Sequence, residues 1–309
     1  MNFNLRKGAF CSLLLTCFAA GISAQTVSDA IMMKQKEICA ALVYEHGSFD
    51  HYWEGTYLRT NGTIQTVKIN SVAAMAAIGL HNRVNLLVSV PYVQTKSTVP
   101  NGGFFKGAKG FQDISLALKG QILEKQLGAG KLALLATAGF STPLTNYLSD
   151  YRPYSIGFGA NEYNGRAILQ YKLDKGLYLR SSLAYLHRGQ TKAERDYYYN
   201  NGSYYTPWMD VPSAWNFDAI IGYWMLNYQL KVEANYVGLK STSGDDVRPY
   251  NAAQPTNKVQ FDQVGASVQY YPKSFKGLGG LLYIRQLING RNTGKVTSFG
   301  AGLTYQFKI

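Results

Sequence analysis

The stretch Val84-Asn85-Leu86-Leu87-Val88-Ser89-Val90-Pro91-Tyr92 decides the fold. Val84, Leu86, Val88, Val90 and Tyr92 fall on one side of a two-residue period, while Asn85, Ser89 and Pro91 share the other with Leu87. Successive side chains leave an extended strand on opposite sides, so this period marks a strand with one apolar face. The same alternation recurs down the chain. Ile114, Leu116 and Leu118 alternate with Asp113, Ser115 and Lys119, and Leu230, Val232, Ala234 and Tyr236 with Lys231, Glu233 and Asn235. Beyond the amino terminus no segment reaches the ~18 consecutive apolar residues of a membrane helix, and no long one keeps a 3.6-residue period.

Two architectures produce such strands: a soluble sandwich with its polar face outside, and a membrane barrel with its polar face inside. Strands are expected at 37–50, 62–80, 84–97, 111–124, 131–142, 158–173, 176–190, 213–225, 228–242, 258–272, 280–289 and 295–309. Their connections alternate short and long. His81-Asn82-Arg83, Asp174-Lys175-Gly176 and Leu226-Asn227 are tight, and Lys125 to Gly130 and Lys273 to Gly279 somewhat longer. Pro100 to Gly110, Pro143 to Gly157, Thr191 to Pro212 and Ser243 to Asn257 are long and polar. Short turns on one rim and long loops on the other fit an all-β, antiparallel transmembrane β-barrel of about twelve strands, whereas a sandwich has no reason to segregate them. Most strands also exceed the ~9–11 residues that a tilted strand needs to cross the hydrocarbon. Phe299, Ala301, Leu303, Tyr305, Phe307 and Ile309 alternate to the last residue, a strand of the kind read by outer-membrane assembly machinery, an expected partner.

Composition and the amino terminus agree with export. Of 309 residues only 16% are charged, where soluble domains carry about 25%; Gly (31) and Tyr (24) are abundant, as strands and tight turns require. Arg6 and Lys7 precede the apolar stretch from Phe10 to Ala20, and Ile22-Ser23-Ala24 forms a small-x-small cleavage pattern. Residues 1–24 are therefore predicted to be a signal peptide, cleaved between Ala24 and Gln25, with 25–36 a short periplasmic or lumen-entering tail and 37–309 one barrel domain in the outer membrane. The formal charge of +13 becomes +11 once Arg6 and Lys7 leave, from 29 basic against 18 acidic residues. In an exported chain that excess points to a lipid bilayer and its anionic outer-membrane lipids, not to nucleic acid. Of three cysteines only Cys39 survives cleavage, so no intrachain disulfide is possible, and its run Ile38 to Val43 makes it a packed hydrophobe.

Nothing in the chain assembles a catalytic or cofactor site. His46, Asp50, His51 and Glu54 cluster in sequence but match no zinc or calcium spacing; His187 with Ser181 or Ser182 lacks an orienting third group. No enzyme, metal or cofactor is expected. The informative polar residues are those assigned to the lumen: Lys68, Asp113, Lys119, Glu162, Arg166, Lys172, Arg180, Asp218, Lys231, Glu233 and Arg285. They can set an ion preference or pair across the lumen and fill it. Charge reversal at Lys119, Arg180 or Lys231 is expected to leave folding intact. The loop with Tyr197-Tyr198-Tyr199, Tyr204-Tyr205 and Trp208 can fold over the mouth, or stack on sugars or aromatic solutes.

Gly79 to Leu86, Ser89 to Tyr92, and Gly110-Phe111-Gln112-Asp113-Ile114-Ser115-Leu116-Ala117-Leu118-Lys119, followed by Gly139 to Pro143, resemble the meta-pathway phenol-degradation outer-membrane family. Gln112 stands where that family has Gly before the motif aspartate. The resemblance implies a passive channel for small, hydrophobic or aromatic solutes. The alternative is a structural or surface-binding barrel with a lumen filled by side chains.

Overall fold

The computed structural model of the chain describes residues 25–193, 198–200, 204–246 and 258–309; the segment assigned as a signal lies outside them. Twelve antiparallel strands form the wall. In chain order they are β1 (Glu37–Phe49), β2 (Val67–His81), β3 (Val84–Ser97), β4 (Asp113–Leu127), β5 (Gly130–Pro143) and β6 (Glu162–Leu173). The second half comprises β7 (Leu177–Arg188), β8 (Ala214–Met225), β9 (Leu230–Ser241), β10 (Gln260–Tyr270), β11 (Leu278–Arg291) and β12 (Thr297–Lys308). Each pairs with the next, and β1 pairs with β12 from Glu37↔Lys308 to Ser48↔Thr297, closing the sheet. Closure leaves no unpaired edge, as hydrocarbon demands, since it offers backbone N–H and C=O groups no partner.

The two faces are inverted relative to a soluble protein. Leu42, Val72, Leu118, Leu169, Leu183, Ile221, Leu282 and Leu303 are exposed on the outer face, while Lys119, Arg180 and Lys231 are buried within. A continuous apolar exterior on a closed barrel is what a lipid solvent selects. On β3 the outward set is Val84 to Tyr92, which at ~3.3 Å per residue and a tilt near 40° covers about 20 Å of membrane depth.

Lys36, just before β1, and Ile309 lie at the rim with the short turns, where Ile309 donates its amide to the Lys36 carbonyl at 2.9 Å. Gly128-Ala129 alone joins β4 to β5, shorter than the turn expected from Lys125 to Gly130; Gly128 has φ +58°, so the ladder runs on to Leu127. Five of the six outer connections are long; 292–296 is the exception. Two strands start later than their alternation suggests. Residues 62–66 join a loop carrying the hairpin His51–Glu54/Tyr57–Thr60, and 158–161 turn inward, where Phe158 and Ala160 find tertiary contacts. In the Tyr-rich loop, Gln190–Lys192 pairs with Trp208–Asp210 and Tyr198–Asn200 with Tyr204–Thr206. The side chains of residues 194–205 lie outside what is described.

Candidate functional site: the barrel interior

Residues 25–35 occupy the interior at the short-turn end. Ile31 and Met33 pack on Cys39, Ala77, Leu87 and Ala117, and Ala30 and Met32 on Ala133, Leu135 and Ile168, all on inward faces of β1–β6. Leu87, the apolar residue that interrupts the polar face of β3, is thus part of a seat for this segment. Next to it Asn85 donates Nδ2 to the Met33 carbonyl at 3.2 Å. Gly79 leaves room for the backbone of Lys34, whose carbonyl a Cβ would strike. Gly79→Val is therefore expected to lift the segment off the wall without unfolding the barrel. Protease cleavage of residues 25–36 in intact, gel-shifted barrels should rise several-fold; unchanged cleavage would refute this seat.

Asp29 is the anchor. Lys119 Nζ lies 2.7 Å from Asp29 Oδ1 and donates to its carbonyl at 2.9 Å, with the two side chains 0% and 4% exposed. The same carboxylate accepts the Ile31 amide at 2.8 Å and the Thr26 amide. Burial pushes the Asp29 carboxyl up, but Lys119 first, then Arg180 and Lys231, outweigh it and hold it below the usual carboxylate range.

Beside this anchor β6–β9 carry a packed charge network. Arg166 pairs with Asp218 at 3.2 Å and reaches Asn216 Oδ1, while Ser182 also donates to Asp218. Arg180 pairs with Glu233 at 3.3 Å, and Lys231 with the same carboxylate at 3.4 Å. Tyr178 donates its hydroxyl to Glu233 at 2.5 Å by lying across Gly222: the register runs Tyr178↔Gly222 on β8, then Gly222↔Glu233 on β9. A Cβ at Gly222 would collide with the Tyr178 ring, so glycine is what lets the hydroxyl span two strands.

The same arrangement occurs a second time. Tyr283 of β11 lies across Gly300 of β12 and donates to Glu45 of β1, with Arg285 two residues further on and 3.2 Å from Glu45. Only the surroundings differ. The Arg180 and Glu233 side chains are 5% and 9% exposed, those of Arg285 and Glu45 43% and 29%. One triad is sealed into the wall; the other opens into the lumen.

At the opposite rim the loop 144–161 folds inward. Tyr154 is buried, donates to Ser97 Oγ at 2.9 Å and accepts at its carbonyl from Thr95 Oγ1 at 2.6 Å. The Phe158 ring receives the Arg152 and Arg188 guanidinium carbons at 4.5 and 4.4 Å from its centroid. Tyr147 donates to Asp113 at 2.5 Å, and burial together with that carboxylate pushes its phenol far up, so it remains a donor at ordinary pH.

The residues assigned to the lumen from sequence are distributed as follows. Lys119, Arg180, Asp218, Lys231 and Glu233 lie buried in one sector, with half-buried Arg166 paired to Asp218 beside them; Asp113 meets the mouth loop, and Glu162 takes Arg188 Nε at 2.8 Å. Lys172 lies near the short-turn rim against Trp224 and Tyr228, and Arg285 stands in the open triad. Lys68 is a correction: it is exposed on the outer face, alternating with fully buried Val67. Ala73, Ala74, Ala76 and Ala77 mark neither face of β2, and near the outer rim a lysine finds headgroups and water outside as readily as inside. Sequence reasoning missed Asp29, Glu45, Tyr178 and Tyr283. The repeated Tyr-x-Arg of Tyr178-Leu179-Arg180 and Tyr283-Ile284-Arg285 was a usable signal for the tyrosines; Asp29, outside any strand, had none. His46 contacts Asn70, His51 contacts Asp50 and Glu54 pairs with Arg59, so the acidic-histidine stretch is dispersed. Among the described residues no three His, Cys, Asp or Glu side chains form a metal-sized group.

An apolar belt outside, a charged interior and segregated connections together define an outer-membrane β-barrel. Consistent with this, the chain is similar to the COG4313 outer membrane channel from Pseudomonas putida F1, with a TM-score of 0.70 over 93% of this chain and 100% of that one, at 10% identity. KdgM porin aligns at a TM-score of 0.46 over 86% of this chain and 99% of its own, at 9% identity, and NanC porin at 0.47 over 85% and 98%, at 10%. No family model and no curated protein matches the sequence.

Proposed function

We propose that the barrel is a passive outer-membrane channel for small solutes, with its route along the sector formed by β10–β12, β1 and β2. The observation that carries this reading is the contrast between the two Tyr–Gly–Glu–Arg arrangements: one lies under the packed network beside Asp29, the other is open. Ala41, Val43, Ile69, Ala73 and Met75, all partly accessible and on the inward parity, line the same sector beside Glu45 and Arg285. Such a lining suits a solute with an apolar or aromatic body and one polar group. The resemblance to the phenol-degradation family and the fold shared with the COG4313 channel support transport in the same direction.

Planar-bilayer conductance and swelling of solute-loaded vesicles test this. Arg285→Glu should shift ion preference toward cations and slow entry of an aromatic carboxylate several-fold relative to an uncharged aromatic, since a charged ring at a constriction sets selectivity. A barrel that neither conducts nor admits solute would overturn the reading and favour a filled, structural barrel, for which the inserted residues 25–35 and the inward loop 144–161 are the supporting observations.

A further inference from the structure

The outer face of β1–β3, with the short strand Lys109–Phe111 that pairs with Tyr92–Gln94 of β3, carries a graded band above the apolar belt. Its lowest cross-strand row is Tyr44↔Val72↔Tyr92↔Phe111, the next His46↔Asn70↔Gln94↔Lys109, and the uppermost Ser48↔Lys68↔Lys96. Tyr44, Tyr92 and Phe111 are exposed at the level where amphipathic rings mark the membrane interface. Lys96 lies four residues beyond Tyr92, about 10 Å higher at ~3.3 Å per residue and a tilt near 40°. Lys68, Lys96 and Lys109 are all exposed, and the three rows contain no Asp or Glu. Among the described residues none of the three lysines is ion-paired, whereas Lys240, elsewhere on the outer rim, is held by Asp262 at 2.8 Å.

Lys68 and Lys96 are also directly opposed across two strands. Like charges so placed destabilise a sheet unless a counter-charge binds between them. In the outer leaflet of the outer membrane, the fixed anions at that height are the phosphates of the glycolipid headgroup. We propose that the Lys68–Lys96–Lys109 face is a docking site for a phosphorylated outer-leaflet glycolipid of the lipid A type, the lysines taking the sugar phosphates and the Tyr44–Tyr92–Phe111 row packing against the acyl–sugar junction. The site lies on the lipid side of the wall, so it is independent of whether the lumen conducts.

The test uses the full barrel purified in detergent and titrated with diphosphorylated lipid A, its dephosphorylated form, and phosphatidylglycerol, with bound lipid counted by native mass spectrometry. The triple variant Lys68→Gln/Lys96→Gln/Lys109→Gln should bind diphosphorylated lipid A at least tenfold more weakly than the parent, and the dephosphorylated lipid should bind the parent as weakly as the variant. Thermal unfolding supplies a readout of opposite sign. Without lipid the variant should be as stable as the parent or more so, because the Lys68–Lys96 repulsion is gone; with lipid A only the parent should gain. Lys125→Gln, at the other rim, should match the parent in both. Equal binding by the triple variant would overturn the proposal, as would phosphatidylglycerol binding the parent as tightly as lipid A, which would reduce the face to a general anion attractor. Should the triple variant not assemble, Lys68→Gln and Lys96→Gln singly carry the same comparison.

Discussion

Asp29→Ala is expected to destabilise the native barrel more than Lys119→Met, although each removes one half of the same ion pair. Breaking a buried pair by deleting one partner typically costs about 3–5 kcal/mol, because the remaining charge is left uncompensated. The two losses are unequal here. Without Lys119, Asp29 still feels Arg180 and Lys231; without Asp29, fully buried Lys119 loses its carboxylate partner and the Thr26 and Ile31 amides lose their acceptor. The double variant Asp29→Ala/Lys119→Met should recover most of the loss, since two apolar groups of matched shape leave no charge behind. Urea unfolding in lipid vesicles, followed by the gel shift, gives the order. Lys119→Met being the worse of the two would show that the segment is not held as described. Asp29→Ala should also raise single-channel conductance by freeing residues 25–35. Because the Asp29 carboxyl is held below the ordinary range, the anchor is present above about pH 4 and is lost only as pH falls through the lowered value. Lys119→Glu, which parity alone makes innocuous, sets two carboxylates against one another and should expel the segment.

One residue earlier on β4 the same charge meets a different solvent. Leu118 is 50% exposed on the outer face between Leu86 and Ala138, and Lys119 beside it is fully buried. Leu118→Arg is expected to cost up to about 2–4 kcal/mol, the full penalty for a cation on the lipid face being reached at the bilayer midplane, and to lower the assembled fraction accordingly. Leu118→Met, which keeps volume and polarity, should assemble like the parent. Normal assembly of Leu118→Arg would mean that the inside–outside assignment of β4 is inverted.

The graded rim of β1–β3 and the sealed network of β6–β9 make the barrel asymmetric around its circumference. On one side its cations are consumed by Asp29, Asp218 and Glu233; on the other, Arg285 and Glu45 face the lumen and three lysines face the outer leaflet. A barrel of about 12 Å backbone radius, as twelve strands at ~4.8 Å spacing imply, has little room to spare, so which sector is packed decides where any interior space remains.

The alternation from Val84 to Tyr92, repeated on β4 and β9, determined by itself that the chain makes two-faced strands, and loop lengths decided that these strands close into a barrel with apolar residues outward. Those properties are local: period two and turn length follow from a few neighbouring residues. Lys119, Arg180 and Lys231 were placed inward by the same parity. Lys68 was not recoverable, because the alanine-rich β2 marks neither face and a rim lysine is soluble on both. Only the tertiary structure brought Asp29 to Lys119, 90 residues apart, set Tyr178 and Tyr283 across glycines to reach carboxylates two strands away, and buried one Arg–Glu pair while leaving its counterpart open. Contacts of that kind depend on the register around the closed wall and on where a strandless segment lies within it, and neither leaves a period in the sequence.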